Sequence, residues 1–430
     1  MLPAVFRAQE VADRVVAEHA DEAPFLWLVR AGAVAAPHYK LEHLLRLDER
    51  VEAHVDGLRV AGDAGWELLV EQLAYEEAGE VFAAAVIALE RHDGARIERV
   101  LEVAERVPET VTGFVSALGW VERSKLQGTV KAFIRASSPF LRRLGIAACA
   151  VHRVDPQGAL DQAIAASDPA LRGRALKAAG ELGRAHLLDA VRAQLGDEDP
   201  ACRFWAGWSA VLLGDRRQAP RALLATASDP GSPMQVRALR LVPRLLVAVA
   251  ARAWFGQMAE DPARLRPLIE AVGVHGDPHY GPWLIRQMGT PAVARVAGEA
   301  FSMITGVDLA YEDLEGEWPE GFSAGPTEDP EDEDVAMDPD EDLPWPAPAL
   351  VERWWDENAA RFPAGQRFLC GQPVTEAHCL EVLCSGYQRQ RIGAALELTL
   401  MRPDRPLFEW RAPAFRQRAA LKAGAGLGLS

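Results

Sequence analysis

The strongest constraint on this chain is a dipeptide that returns at a nearly fixed interval. Ser138-Pro139, Asp168-Pro169, Asp199-Pro200, Asp229-Pro230, Asp261-Pro262 and Thr290-Pro291 are separated by 30, 31, 30, 32 and 29 residues, proline to proline. Each is a helix-start signal. The short polar side chain accepts from a free N–H of the first turn, and proline at the first helical position forfeits no hydrogen bond. A period of this size, with a helix start in every unit, specifies a stack of helical hairpins.

The interior of each unit supports this. After Pro169, the residues Leu171, Ala175, Leu176, Ala178, Ala179 and Leu182 recur at helical spacing, and Gly183 offers the left-handed residue that ends a helix. A second helix carries Leu187, Leu188, Val191 and Leu195, up to Gly196. In the next unit Phe204, Trp205, Trp208, Val211 and Leu212 form the apolar stripe. Gly214 follows Pro200 by the same 14 residues that part Gly183 from Pro169. One hairpin cannot bury its own stripe, so neighbours must stack. Alternating β-branched segments are scarce, and the fold class expected is an all-α solenoid.

The chain has 430 residues and a net charge of −16, but that charge is local. Residues 312 to 342 hold 15 acids and no Lys or Arg, which leaves 47 acids against 46 bases elsewhere. A balanced remainder gives no sequence-independent pull on nucleic acid, and none is expected as a partner. No run of 18 apolar residues implies membrane insertion. The first 20 residues lack an apolar stretch behind a basic start, and five cysteines do not suggest a disulfide framework. A cytoplasmic location is the expectation.

Four domains are expected. Residues 1–136 are divergent N-terminal helical repeats, with turns at Gly32, Gly57, Gly62, Gly79 and Gly94; residues 137–311 are the regular repeats. Residues 312–346 are an acidic, proline-rich linker, and residues 347–430 a small helical unit whose last residues, AGAGLGLS, should fray. Within the linker, Glu320 to Glu331 has the glycine and final glutamate of a calcium loop, as Gly325 and Glu331. Phe322 and Ala324 stand where side-chain oxygens are required, so a solvated linker is the preferred reading. A further expectation is that this linker lies over the arginines of the repeats and occludes them.

Candidate chemistry is sparse. His275, Asp277 and His279 carry metal-ligand atoms, but Gly276 and Pro278 prevent the helix that would face them together. Cys370, His378, Cys379 and Cys384 lack the second matched pair of a zinc site and suit small apolar thiols better. No nucleotide-binding, nucleophile or metalloprotease motif occurs. No catalytic residue, metal ligand or cofactor is assigned. Arg142, Arg172, Arg203, Arg264 and Arg295 form a ladder two to four residues after the proline in five of the six units. They suit either a phosphate backbone or the helix-capping aspartates of adjacent units, Asp168, Asp199, Asp229 and Asp261; charge balance favours the second. The candidate partner contacts are Arg172, Arg203, Trp354 and Trp355. The two tryptophans are adjacent on a helix and cannot share a face, which leaves one ring to anchor a partner unless both lie between layers.

SDPALRGRALKAAGELG at Ser167 to Gly183 resembles a short HEAT repeat. DEDPACRFWAGWSAVLLG at Asp197 to Gly214 and SDPGSPMQVRALRLVP at Ser228 to Pro243 are weaker copies. The segment from Asp21 to Gly62, with the acidic stretch and DLPWP at Asp342 to Pro346, also resembles an uncharacterised proteobacterial HEAT-repeat family encoded near components and effectors of type VI secretion. That resemblance implies an accessory role and supplies no reaction. The HEAT-repeat di-iron hydroxylase is set apart by its His-Glu dipeptides, because none of the ten histidines here precedes a glutamate. The function expected is a non-enzymatic protein-binding scaffold: an adaptor, chaperone or immunity factor for a secreted effector or a secretion component. The alternative is a HEAT-fold enzyme or nucleic-acid-processing protein.

Overall fold

The computed structural model describes residues 2–326 and 336–423. The protein is an all-α solenoid of HEAT-like helical hairpins, divided into two compact units. The first takes the chain up to Ala35, then Tyr39–Leu213, and the segment from Pro403 onward; the second takes Ala36–His38 and Gly214–Arg402. Residues 347–402 and 403–423 therefore belong to different units. Part of the calcium-loop window, from residue 327 to Glu331, and the final residues of the AGAGLGLS tail lie outside the described residues.

The repeat signals work best in the first unit. Pro139–Val151, Pro169–Glu181 and Pro200–Leu212 are helices of 13 residues each. Ser138 Oγ accepts from Leu141 N at 3.4 Å, Asp168 Oδ1 from Leu171 N at 2.7 Å, and Asp199 Oδ1 from Cys202 N at 2.8 Å. Each satisfies one of the donors a helix start leaves open. Gly183 ends the second helix at φ +62°, and Arg184 N bonds back to Ala179 O at 3.0 Å. Small residues let these helices meet closely. A Cβ on Gly180 would stand 2.8 Å from Ser209 Cα, and Ser209 Oγ donates to Leu176 O at 2.6 Å.

Expected turns at Gly57 and Gly79 are helical, and Gly32 lies in the last turn of the helix Leu2–Ala33. Gly57 lies within the helix Leu41–Ala61 and Gly79 within Ala78–Arg91. A Cβ on Gly57 would collide with the His19 ring, and one on Gly79 would stand 2.7 Å from Pro24 O. These glycines mark helix crossings, where the absence of a side chain rather than backbone freedom is what matters. The unit closes with its C-terminal segment. Leu407 N donates to Glu181 O at 3.0 Å and Arg153 Nε to Leu407 O at 2.6 Å. Arg30 grips the same segment through the carbonyls of Arg411 and Ala412, both at 2.7 Å, while donating to Asp48 at 2.8 Å.

In the second unit the period persists but its signal changes form. At Asp229-Pro230 no helix starts; Asp229 accepts from Gly231 N at 3.0 Å and the helix begins only at Gln235. Pro233 is the cause: it has no N–H to give and it disfavours helical geometry at Ser232. At Asp261 and Thr290 the proline opens one 3-10 turn, followed by the helices Leu265–His275 and Ala294–Thr305. A two-residue hairpin pairs Phe368 with Pro373 and Leu369 with Gln372. It caps both helices: Phe368 N donates to Gly276 O at 2.7 Å and Cys370 N to Met303 O at 2.7 Å.

Candidate functional site

The second unit holds a partly open cavity of about 380 Å³ between the helices Leu265–His275, Ala294–Thr305 and Gln388–Met401. Helical spacing decides what faces it. Arg266 and Glu270 are four residues apart on one helix, Glu299 and Ala300 project from the second, and Arg389, Ile392 and Leu396 from the third. Two glycines draw the walls together. A Cβ on Gly273 would lie 2.9 Å from Ala300 Cα, and one on Gly393 would lie 2.9 Å from an Arg244 guanidinium nitrogen.

The charges in this cavity are paired unequally. Arg389 donates to Glu299 at 2.6 Å, whereas Glu270 has only an ion pair with Arg266 Nε at 3.6 Å. Burial raises the pKa of both glutamates above the ordinary carboxylate range, against the pull of Arg389 on Glu299 and of Arg266 on Glu270. Behind the wall, Arg244 donates to Glu397 at 2.7 Å, and Arg367 reaches the same carboxylate. Burial would raise Glu397, but the two arginines hold it below its ordinary value.

A strap from the acidic segment lies across this cavity. Asp338 accepts from Arg295 Nη2 at 2.7 and 2.9 Å, and Asp340 from Arg266 at 2.5 and 2.9 Å. Arg295 Nη1 also donates to the backbone carbonyl of Asp340 at 2.8 Å. Pro339, between the aspartates, lines the cavity. The Arg295 guanidinium sits 5.0 and 5.3 Å from the ring centroids of Trp318 and Trp345, a cation–π setting. The segment is pinned at its base, where Gly316 N donates to Trp345 O at 2.7 Å and Ala347 N to Leu314 O at 2.8 Å. Among the described residues, Arg295 is the ladder member that this segment covers.

The other sequence-derived residues are distributed through the fold. Arg172 donates to both Asp197 oxygens at 2.6 and 2.9 Å and to Ala166 O at 2.7 Å. Arg203 is exposed and donates to the carbonyls of Asp197 and Glu198 at 2.7 and 2.8 Å. Their partners are loop groups rather than the capping aspartates of adjacent units, whose oxygens already serve the helix starts. Trp354 and Trp355 are half-buried and both rings meet Phe301, at centroid distances of 5.8 and 5.7 Å. His275 is buried and bonds Pro243 O at 3.0 Å, while Asp277 receives His279 N at 3.0 Å and Gly365 N at 2.9 Å. His378 Nε2 contacts Leu369 O at 2.7 Å, and Cys384 is exposed while Cys379 is buried. Among the described residues no group of three or more His, Cys, Asp or Glu is arranged to hold a metal ion, and no helix is long and apolar enough to cross a membrane.

Nothing in the periodic pattern revealed the cavity. Its parts, Arg266, Glu270, Glu299 and Arg389, come from helices far apart in the chain. Only the four-residue spacing of Arg266 and Glu270 hinted that two charges share a face. No curated protein matches this chain. A family model described as HEAT repeats matches residues 156–241, the stretch that contains the repeat helices Pro169–Glu181 and Pro200–Leu212.

Proposed function

We propose that this protein is a non-enzymatic scaffold that binds another protein, acting as an adaptor, chaperone or immunity factor for a type VI secretion effector or component. The observation that carries the proposal is the stack of hairpins matched to HEAT repeats, since such stacks offer extended surfaces to partners. The secretion link rests on the resemblance of Asp21 to Gly62, the acidic stretch and DLPWP to the family encoded beside such systems. Arg172, Arg203, Trp354 and Trp355 are the proposed contacts. Affinity capture with the full chain, probed against effectors and secretion components encoded nearby, tests this reading. A stable complex is expected, and the absence of any complex sinks it.

A second reading, a HEAT-fold enzyme, draws on the cavity, where Glu270 and Glu299 are both pushed toward the protonated form among arginines. Native mass spectrometry of the purified chain is its test. A retained small molecule that is lost from Glu270→Gln would promote it over the scaffold.

A further inference from the structure

We propose that Arg266 and Arg295, with Trp318 and Trp345, form a docking site for an acidic peptide whose two carboxylates are separated by one residue. The chain's own Asp338-Pro339-Asp340 occupies the site until a partner's segment replaces it. This deepens the scaffold reading and rests on it.

The internal occupant defines the chemistry. Each aspartate takes two hydrogen bonds from its own arginine, so the site reads two carboxylates at a set spacing rather than one diffuse charge. The bond from Arg295 to the Asp340 carbonyl reads a peptide backbone as well, which a free phosphate or a nucleic acid does not offer. The two indoles fix the Arg295 plane, so its fork is already oriented when a ligand arrives.

The arrangement also allows exchange. The strap is anchored at its base by the pairing of Glu315 with Pro346, independently of the aspartate contacts, so it remains tethered after release. A tethered occupant competes at an effective concentration on the order of millimolar, which an incoming acidic segment overcomes by presenting the same two carboxylates with additional contacts. Among the described strap residues Pro339 lines the cavity, so its departure exposes the cavity to the newcomer.

The test uses the full chain and a fluorescent peptide of its own residues 337–345, with a control peptide carrying asparagine at positions 338 and 340. Anisotropy is measured with wild type, with Asp338→Asn, and with Asp338→Asn combined with Asp340→Asn. The expected result is at least tenfold tighter peptide binding to the double variant than to wild type. Binding should vanish when Arg295→Gln is added, and the control peptide should stay unbound. Should the double variant fail to fold, Asp338→Asn alone and hydrogen exchange on wild type decide the matter. Excess peptide should then speed exchange at 336–342 while leaving 294–305 protected. Equal binding of the control peptide, displacement by a single-stranded oligonucleotide of equal charge, or no binding to any folded variant overturns the proposal. Such failure leaves protein capture by the full chain as the separate measure of the scaffold reading.

Discussion

Arg172 of one repeat and Asp197, in the loop leading to the next, are joined by two parallel hydrogen bonds of 2.6 and 2.9 Å. The pair spans 25 residues and leaves the Asp197 side chain only 5% exposed. It therefore ties neighbouring units more firmly than a surface ion pair would. Asp197→Ala should destabilise the first unit by about 1–3 kcal/mol, because the arginine and the Asp199 N–H both lose their acceptor. Arg172→Lys should fall short of wild type, since an ammonium cannot reproduce the two-pronged contact. Urea unfolding followed by circular dichroism measures both.

Gly180 provides a sharper test of repeat packing. Alanine is the better helix former by about 1 kcal/mol, so propensity alone favours Gly180→Ala. Ser209 opposes it, because the new methyl would stand 2.8 Å from its Cα. We expect a net loss of about 1–3 kcal/mol, the usual cost of overpacking. Gly128→Ala, on an exposed helix position with nothing within 4 Å, should instead stabilise by about 0.5–1 kcal/mol.

Acid should weaken the first unit in two stages. Burial and the nearby Arg416 push His152 from its ordinary 6.5 down to about 4, favouring the neutral ring that contacts Leu118 O. The unfolded chain takes up that proton first, so stability falls as pH drops from about 6.5 toward 4. Burial would raise Glu181, but Arg174, Lys177 and Arg153 draw it down to about 2; its contribution is lost between about 4.5 and 2. His152→Gln keeps a donor for the Leu118 carbonyl but takes no proton, and should flatten the upper stage alone. Melting temperature recorded against pH separates the two.

Lys177 should be the most reactive of the chain's five lysines. Burial lowers its pKa to about 8, with Glu181 opposing that shift, and its Nζ sits 4.7 Å from the Trp205 ring centroid. A larger neutral fraction at pH 8 makes the amine a better nucleophile. Limited acetylation followed by peptide mass mapping should label Lys177 ahead of Lys125 and Lys131. Trp205→Ala, which opens the site to water, should narrow the difference.

Glu397 balances two arginines in the second unit, and its side chain is 3% exposed. Glu397→Leu leaves Arg244, itself buried, without its carboxylate and should cost about 3–5 kcal/mol. Thermal unfolding with a probe in residues 214–402 would register the loss.

The helix starts at Ser138, Asp168 and Asp199 were legible because a cap depends on four adjacent residues, and sequence shows all four. The start at Asp229 was misread because Pro233, three residues beyond the signalling proline, vetoes the first turn. Arg172 was legible as a paired residue, but not its partner. Asp197 lies two residues ahead of the capping Asp199, and only the folded loop brings it to Arg172. Composition described the acidic segment as a whole. It could not single out Asp338 and Asp340, whose partners Arg295 and Arg266 lie 43 and 74 residues away in the chain.

The return of residues 403–423 to the first unit has a consequence for biosynthesis. A ribosome delivers everything through Arg402 before it delivers the segment whose Leu407 bonds the end of the Pro169–Glu181 helix. The half of the protein made earliest is thus the last to be completed, and its nascent form must wait, with the Arg30 clamp empty, while the later half emerges and folds.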